Sequence, residues 1–447
     1  MTKNPPNDPA ANSNLPISVA CPACSYHVAV TFIDPYRQPL ATVAWPSTEE
    51  EAKAMKQLPL SFVRCVDCGH IFNREFCYEE VPYSRKPHLM FNKGTTWTNH
   101  LIQIADMLLG YVNEGATVVE IGCGEGHLLR HMASKKKNCR FYGFDPNASY
   151  ETDGLFEGRS ELFVPEIHME QLQPDLIISR HVMEHLINPL GFLQSIQFNA
   201  SRLNLRTRVY IETPCIDRAL ETGRVGDFYY EHNSHFTTQS FTRMIQRTSH
   251  EIDLLTHSYN REVLSGLFRV GTNSHAVELE SQADDFRIQA KLGQDVLTIQ
   301  LDQLKAKGKS IAIWGGTGKA SAFINFYRLD AKSFPIVVDS DPDKTDTHVP
   351  GQGQPIQYRD YLKDHPVDVI LIPMAWRAHD VLLEMQEAGI RCDQVLIEYQ
   401  GRLVDYFHDD HPYHVPGEVT AMQPPAPHYN PQSQSYWTTK HASNSQV

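Results

Sequence analysis

A chain of 447 residues, 41% of them hydrophobic, has room for about three domains of roughly 150 residues and apolar material for several buried cores. Its 53 acidic and 40 basic residues leave a net charge of -13, which argues against a general nucleic-acid binder but allows a local basic pocket for an anionic substrate. No apolar run reaches the ~20 residues needed to cross a bilayer, so no membrane span is expected.

The opening stretch, MTKNPPNDPAANSNLP, is rich in Pro and Asn and carries no apolar h-region. It reads as a disordered tail over residues 1–16 rather than a signal peptide. Nine cysteines without an export signal point to a reducing, cytoplasmic compartment, where paired cysteines more often bind metal than form disulfides. Residues 17–85 hold two pairs, Cys21 and Cys24 in CPAC, and Cys65 and Cys68 in CVDCGH. Each C-x-x-C presents two thiolates from a tight turn. Two such turns close a tetrahedral zinc site with no open position, which suits a scaffold and not a catalyst. The gap of about forty residues between the pairs exceeds the ~15–20 of a compact zinc ribbon, but an inserted hairpin bridges it. A thioredoxin-like redox pair would open a helix, whereas FVRCVDCGHIF reads as strand–turn–strand. His70 and Cys77 are the substitute ligands within reach.

Residues 86–275 alternate apolar runs with helical patterns, as expected of a parallel α/β sheet. In ATVVEIGCGEGHLLRHM, the run TVVEI makes a buried strand and the glycines at 122, 124 and 126 turn the chain into a helix starting near Gly126. The next strand, RFYGFDPN, ends in Asp145, an acid placed to accept both hydroxyls of a ribose. PDLIISRHVMEHLINPLGFLQSI reads as a strand followed by a helix, RVYIETP as a further strand, and HEIDLLTHSYN with GLFRVGTN as a closing antiparallel pair. HVMEH also fits the inverted zincin pattern H-x-x-E-H, but its place directly after a strand disfavours a metallopeptidase and leaves His185 structural.

The pattern E-x-G-x-G-x-G, with an acid ending the second strand, resembles motif I of class I S-adenosylmethionine (AdoMet)-dependent methyltransferases. That resemblance implies that Glu120, Gly122, Cys123, Gly124 and Asp145 hold AdoMet, with His181 at the rim.

After an amphipathic connector, KSIAIWGGTGKASAFINF repeats the strand–glycine–helix pattern, and FPIVVDSDP ends a second strand at Asp339. Ala320 and Ile313 stand where a P-loop needs Ser/Thr and Gly, so residues 276–407 read as a connector and a second Rossmann-like domain. That domain is a nucleotide binder or a substrate-contacting scaffold. Residues 408–447, rich in Pro, His, Ser and Gln, read as a second tail. The fold class is therefore α/β: a Rossmann-like class I methyltransferase domain flanked by a small zinc-binding domain and a second Rossmann-like α/β domain.

This order of domains resembles the sugar C-methyltransferases that act on nucleotide-linked 4-keto-6-deoxysugars. Their GAGAKG turn appears here, drifted, as GGTGKA, and their Y-x-E-H-x-x-Y-F stretch as YYEHNSHF over residues 229–236, with His235 in place of the second aromatic. The resemblance implies a nucleotide-linked sugar or similar small molecule as substrate, methylated at carbon next to a ketone. Carbon methylation needs an enolate, hence a base. His232 is the expected base, Glu231 its orienter or an alternative acid/base, and Tyr229 the enolate partner, with the roles of Tyr229 and His232 exchangeable. An O- or N-methyl acceptor would use the same histidine, and a non-catalytic zinc-bound scaffold is the reading from another class.

Overall fold

The structure, a computed structural model, describes residues 15–43, 45–81, 94–147 and 154–414. Most of both expected tails therefore lies outside the described residues. The chain forms two compact units, residues 1–280 and 281–447.

The first unit opens with a cysteine-bearing module: β1 (Ile17–Ser18), β2 (Val28–Thr31), β3 (Tyr36–Gln38), α1 (Glu49–Ala54), β4 (Leu58–Leu60), β5 (Phe62–Cys65) and β6 (Ile71–Asn73). The long gap between the cysteine pairs is filled by the β3–β4 ladder and α1. Next come α2 (Thr95–Leu109), β7 (Thr117–Ile121), α3 (His127–Lys135), β8 (Arg140–Phe144), β9 (Glu157–Arg159), α4 (Pro165–Leu172), β10 (Leu176–Arg180), α5 (Pro189–Arg202) and β11 (Arg208–Pro214). The unit closes with α6 (Asp217–Thr222), β12 (Ser234–His235), α7 (Thr238–Gln246), β13 (Glu251–Ser258) and β14 (Val263–Arg269).

Strands β13-β14-β11-β10-β7-β8-β9 form one sheet in that order, parallel except where β14 runs against β11 and β13. All five residues of β7 are buried, because helices cover both faces of a parallel sheet. The order reverses at β7 and β10, so a crevice opens beyond the carboxyl ends of these strands, where such sheets bind ligands.

The cysteine module is not a separate bead. Strand β12, from the stretch after β11, pairs with β6 to extend the module's sheet to β1-β2-β5-β6-β12. One apolar core runs from Ala29, Val63 and Phe72 to Val119 and Ile177 of the central sheet. The expected boundary near residue 85 is therefore bridged within a single unit.

The second unit contains most of the 33-residue α8 (Ser274–Ala306), then β15 (Ile311–Trp314), α9 (Lys319–Phe326), β16 (Ile336–Asp339), β17 (Ile356–Tyr358), α10 (Tyr361–Asp364), β18 (Val369–Ile372), α11 (Ala378–Ala388), β19 (Gln394–Tyr399) and β20 (Arg402–Asp405). Its sheet runs β17-β16-β15-β18-β19-β20, with only β20 antiparallel. Among the described residues, no helix is long and apolar enough to cross a membrane.

Candidate functional site

After β7 the chain turns through Gly122, Gly124 and Gly126, at φ values of 69°, 53° and 76°. A Cβ at Gly122 would stand 2.4 Å from Val182 Cγ2, and one at Gly126 2.3 Å from Phe156 Cζ, so both positions require glycine. Cys123 is buried in the turn, its thiol lying where a Cβ on Gly143 would reach it at 2.6 Å. Asp145 follows β8. Its Oδ2 accepts the Gly124 N–H at 3.1 Å and its Oδ1 the Asn147 N–H at 2.9 Å. The carboxylate is thus fixed beside the glycine turn with acceptor capacity to spare, a donor set that fits AdoMet.

Glu120 points elsewhere. It is 2% exposed and lies 4.0 Å from Arg180 Nη1, beneath the turn. Burial pushes its carboxyl up to about 8, against the pull of Arg180 and with help from Glu212 and Asp145. Arg180 in turn holds Glu212 at 3.0 Å, and Tyr210 donates its hydroxyl to the other Glu212 oxygen at 3.0 Å. His181, next along the chain, takes a positive φ of 53° and donates its N–H to the Glu212 carbonyl at 2.8 Å. Its ring sits 3.4 Å from Glu184 and 3.2 Å from Glu212. Burial alone would lower this imidazole, but the two carboxylates raise it to about 9.

Sequence reasoning missed this network of Arg180, Glu212 and Glu184, together with Trp97, whose ring lies 5.4 Å from that of His181 and 5.9 Å below the Arg180 guanidinium. The available signal was a glutamate inside the otherwise buried run RVYIETP, since a charge in a buried strand implies a partner. The stretch HVMEH is also not helical as a whole. A single 3-10 turn covers Met183–His185, and α5 begins only at Pro189, where Asn188 caps it. The helix that would present two imidazoles on one face is absent here, so the zincin reading falls.

The stretch 229–236 packs against the turn that follows β10. Tyr229 Oη and His232 Nε2 are hydrogen-bonded at 2.8 Å. Burial holds the His232 imidazole well below its usual range, with His185 adding to the effect, so the ring is neutral near pH 7. Burial likewise raises the Tyr229 phenol, with Glu184 and Glu231 contributing.

Glu231 does not orient His232. Its Oε1 accepts the backbone N–H groups of Ala41, Thr42 and Val43 at 2.8, 2.7 and 3.1 Å, which ties the stretch to the cysteine module. The reason is local: three successive amides in the 41–43 turn converge on one oxygen and compensate its burial. His185, expected to be structural, lies at the candidate site instead. Its Nδ1 donates to the Glu231 carbonyl at 2.8 Å, and its ring meets His232 edge-on at 4.9 Å. His235 fills an aromatic slot, packed 5.2 Å from Phe62 and 4.8 Å from Phe228.

The module grips this stretch elsewhere too. Tyr36 donates its hydroxyl to the Phe228 carbonyl at 3.0 Å, Cys77 its N–H to Tyr230 Oη at 2.9 Å, and Asn73 its N–H to the Asn233 carbonyl at 3.0 Å.

Cys21, Cys24, Cys65 and Cys68 converge, with all four sulfurs within 4.8 Å of one another and the 21–68 and 24–65 pairs at 3.6 Å. Sulfurs at about 3.8 Å are what tetrahedral bonds of ~2.3 Å to zinc produce, so the array fits that ion. The thiol hydrogen bond from Cys21 lowers Cys68 to about 6, and Cys21 is pushed up by the same bond and by burial. Buried thiols that ionise one at a time in this way need a cation before all can be thiolates. Gly69, at φ 77°, makes the turn behind Cys68. Of the substitute ligands, His70 is buried against Phe236 at 4.7 Å, and Cys77 is exposed and bonded to Glu79.

Residues 98–253 match the family model described as a methyltransferase domain, and residues 272–397 the one described as a C-methyltransferase C-terminal domain. With the sheet order and the glycine–aspartate turn, these matches define a class I AdoMet-dependent methyltransferase. It is one whose second α/β unit is of the C-methyltransferase C-terminal type. Among solved structures, a coclaurine N-methyltransferase bound to N-methylheliamine and SAH is 17% identical with a TM-score of 0.28, over 39% of this chain and 56% of that one. A SAM-dependent methyltransferase from Aquifex aeolicus is 12% identical with a TM-score of 0.29, over 38% and 89% of the two chains. The N-methyltransferase NodS of Bradyrhizobium japonicum WM9, in complex with SAH, is 11% identical with a TM-score of 0.28, over 42% and 94%. No curated protein matches the chain in sequence.

Proposed function

We propose that the protein methylates a carbon next to a ketone in a small molecule of the nucleotide-linked deoxysugar class, through an enolate. The observation that carries this reading is the half-buried Tyr229–His232 pair at 2.8 Å, with a neutral imidazole, beyond the carboxyl end of β11. The match of the second unit to a C-methyltransferase domain favours carbon over oxygen or nitrogen.

A neutral His232 accepts the Tyr229 hydroxyl proton, so the pair can take one proton from an acceptor as a unit. His232 gains the proton while Tyr229 stays within hydrogen-bonding reach of the developing enolate oxygen. AdoMet supplies the electrophilic methyl group. Asp145, with Gly122, Cys123 and Gly124, would hold its ribose and amino-acid portions, and Glu120 would act from below through Arg180. His181, protonated between Glu184 and Glu212, would line the rim.

The test omits AdoMet. Incubated in D₂O with nucleotide-linked 4-keto-6-deoxysugars, the protein is expected to exchange the α-proton. No exchange with any ketone, alongside methylation of a hydroxyl or amine, would replace this reading by O- or N-methylation.

We also infer that Cys21, Cys24, Cys65 and Cys68 hold a structural zinc ion in a reducing compartment, a placement consistent with nine free thiols. Metal analysis is expected to find about one zinc per chain, lost in Cys65→Ser. Metal retained by that variant would disprove the assignment.

A further inference from the structure

Glu184 sits in the 3-10 turn after β10 and is 2% exposed. Its Oε2 accepts the Thr213 hydroxyl at 3.1 Å, and its Oε1 lies 3.4 Å from His181 Nδ1. One donor atom each from Glu184, His185 and His232 lies within 4.8 Å of the other two. Glu231, the acid adjacent to His232 in the chain, gives its Oε1 to the amides of the 41–43 turn. The buried carboxylate that faces the imidazole pair therefore comes from a different element, 48 positions before the candidate base.

We propose that Glu184 is the positioning residue of the proton-handling stretch, holding the His185–His232 pair and stabilising the imidazolium that forms on His232. This rests on the enolate reading above.

The step balances as follows. The acceptor's α C–H bond breaks and its proton enters the Tyr229–His232 pair, leaving His232 cationic and the acceptor an enolate. The enolate carbon then bonds to the methyl group as the S–CH₃ bond breaks, its electrons staying on sulfur. Charge thus appears on His232 where there was none, in a site partly shielded from solvent, and a nearby anion offsets it. Glu184 is ionised beforehand. Burial would raise its carboxyl, but the His181 bond and the nearby imidazoles hold it at about 2. Thr213, from β11, fixes the carboxylate's direction.

The titratable groups around His232 come from three segments. Tyr229 lies 2.8 Å away on its own stretch, and His235 has its ring at 6.3 Å. The turn after β10 contributes Glu184 and His185, with His181 acting from further off. Across Glu184, β11 adds Glu212, reached through His181.

The experiment uses the full-length, zinc-loaded protein and compares wild type with E184Q and E184D. It reads α-proton exchange in D₂O without AdoMet, kcat and KM for methyl transfer, and kcat/KM against pH. E184Q is expected to lose roughly 10²-fold in exchange and kcat. KM is expected to stay within about twofold. Without the carboxylate His232 holds a proton less tightly, so the acid limb of the kcat/KM profile moves to lower pH. E184D is expected to recover part of the rate and of the limb position.

A slower E184Q whose acid limb does not move would mark a merely structural role and overturn the proposal. So would an E184Q that exchanges like wild type while wild type exchanges normally. Wild type that exchanges no α-proton overturns the enolate reading, and this proposal with it. Cobalt bound by wild type beyond the cysteine site and absent from E184Q would make Glu184, His185 and His232 a cation site, and would overturn it as well.

Discussion

The turn after β7 and the turn after β15 are built alike. Each follows a fully buried parallel strand, bends through glycines at positive φ and leads into a helix. Each is met by an aspartate at the end of the neighbouring strand. Asp145 accepts the Gly124 N–H at 3.1 Å, and Asp339 accepts the Gly316 N–H at 3.3 Å. Even the second bond repeats, from the amide two residues on, Asn147 in one and Asp341 in the other. The difference is a lysine. Lys344 Nζ lies 3.1 and 3.2 Å from the two Asp339 oxygens, whereas among the described residues no cation reaches Asp145. Among the described residues, one acid has no cationic partner and the other is paired from within its own unit. A strand–glycine–helix–acid pattern is therefore a fold feature first, and of the two turns the one whose acid has no such partner is the one proposed to take a ligand.

The largest effect expected from this difference is on AdoMet affinity. Asp145→Asn removes a charged acceptor for the ribose hydroxyls, worth about 1.5–3 kcal/mol per charge-assisted bond, and is expected to weaken binding by roughly 10²-fold. Asp339→Asn is expected to change it by less than about twofold. Calorimetric titration with AdoMet reads both, and equal losses would break the contrast.

A second contrast lies in the glycines. Gly122→Ala forces a Cβ to within 2.4 Å of Val182 Cγ2 at a φ of 69°, whereas Gly318, at φ 58°, has nothing within 4 Å of its Cβ position. Gly122→Ala is expected to cost about 3–4 kcal/mol through overpacking and backbone strain together, and Gly318→Ala, at ψ -126°, about 1–2 kcal/mol through backbone strain alone. Thermal unfolding of the two variants checks the order.

The parts of this architecture that were readable from the chain are local ones. Glycine spacing, the acid closing the next strand and the C-x-x-C turns each depend on a few consecutive residues, and the strands and turns stand where those patterns put them. The parts that were not readable depend on residues distant in the chain. Glu231 sits beside His232 in sequence yet serves Ala41–Val43, some 190 positions away. Glu184, from the turn after β10, showed only as part of an H-x-x-E-H spacing that pointed to a different chemistry, and Thr213, at the end of β11, carries no spacing signal. The union of β12 with β6 was equally hidden, since a two-residue strand leaves no periodicity to find.

That union is also expected to make the first unit more sensitive to acid than the second between pH 7.5 and 5.5. His235, on β12, is buried between aromatic rings, and burial lowers it from 6.5 to about 4. A depressed folded-state pKa means the unfolded chain binds the proton more tightly. The stability is fully present above the unfolded value of 6.5 and is lost as pH falls toward about 4. At pH 5.5 the loss is on the order of 1 kcal/mol. In a thermal scan the transition of the first unit is expected to drop between pH 7.5 and 5.5. His235→Phe, which suits the aromatic slot, is expected to reduce that drop. The second unit contains none of this cluster and should move less over the same range.

The smallest effect bears most directly on the comparison. Lys344 is about one-third exposed, 34%, so its ion pair with Asp339 is partly screened by solvent. Lys344→Ala is expected to cost only about 0.5 kcal/mol of the second unit's stability. Its value lies in what it uncovers, because without the lysine Asp339 keeps only the Gly316 and Asp341 amides and becomes the geometric twin of Asp145. The setting still differs. Tightness is shared, since Ile356 Cδ1 stands 2.4 Å from the Cβ position of Gly316 as Val182 Cγ2 does from that of Gly122, and what differs is the surrounding domain: the methyltransferase-domain match covers the first turn and the C-methyltransferase C-terminal match the second. The variant, like wild type, is accordingly expected to bind one equivalent of AdoMet and no second. A second equivalent would show that the lysine alone keeps the C-terminal turn shut, and the two turns would then differ in occupancy rather than in kind.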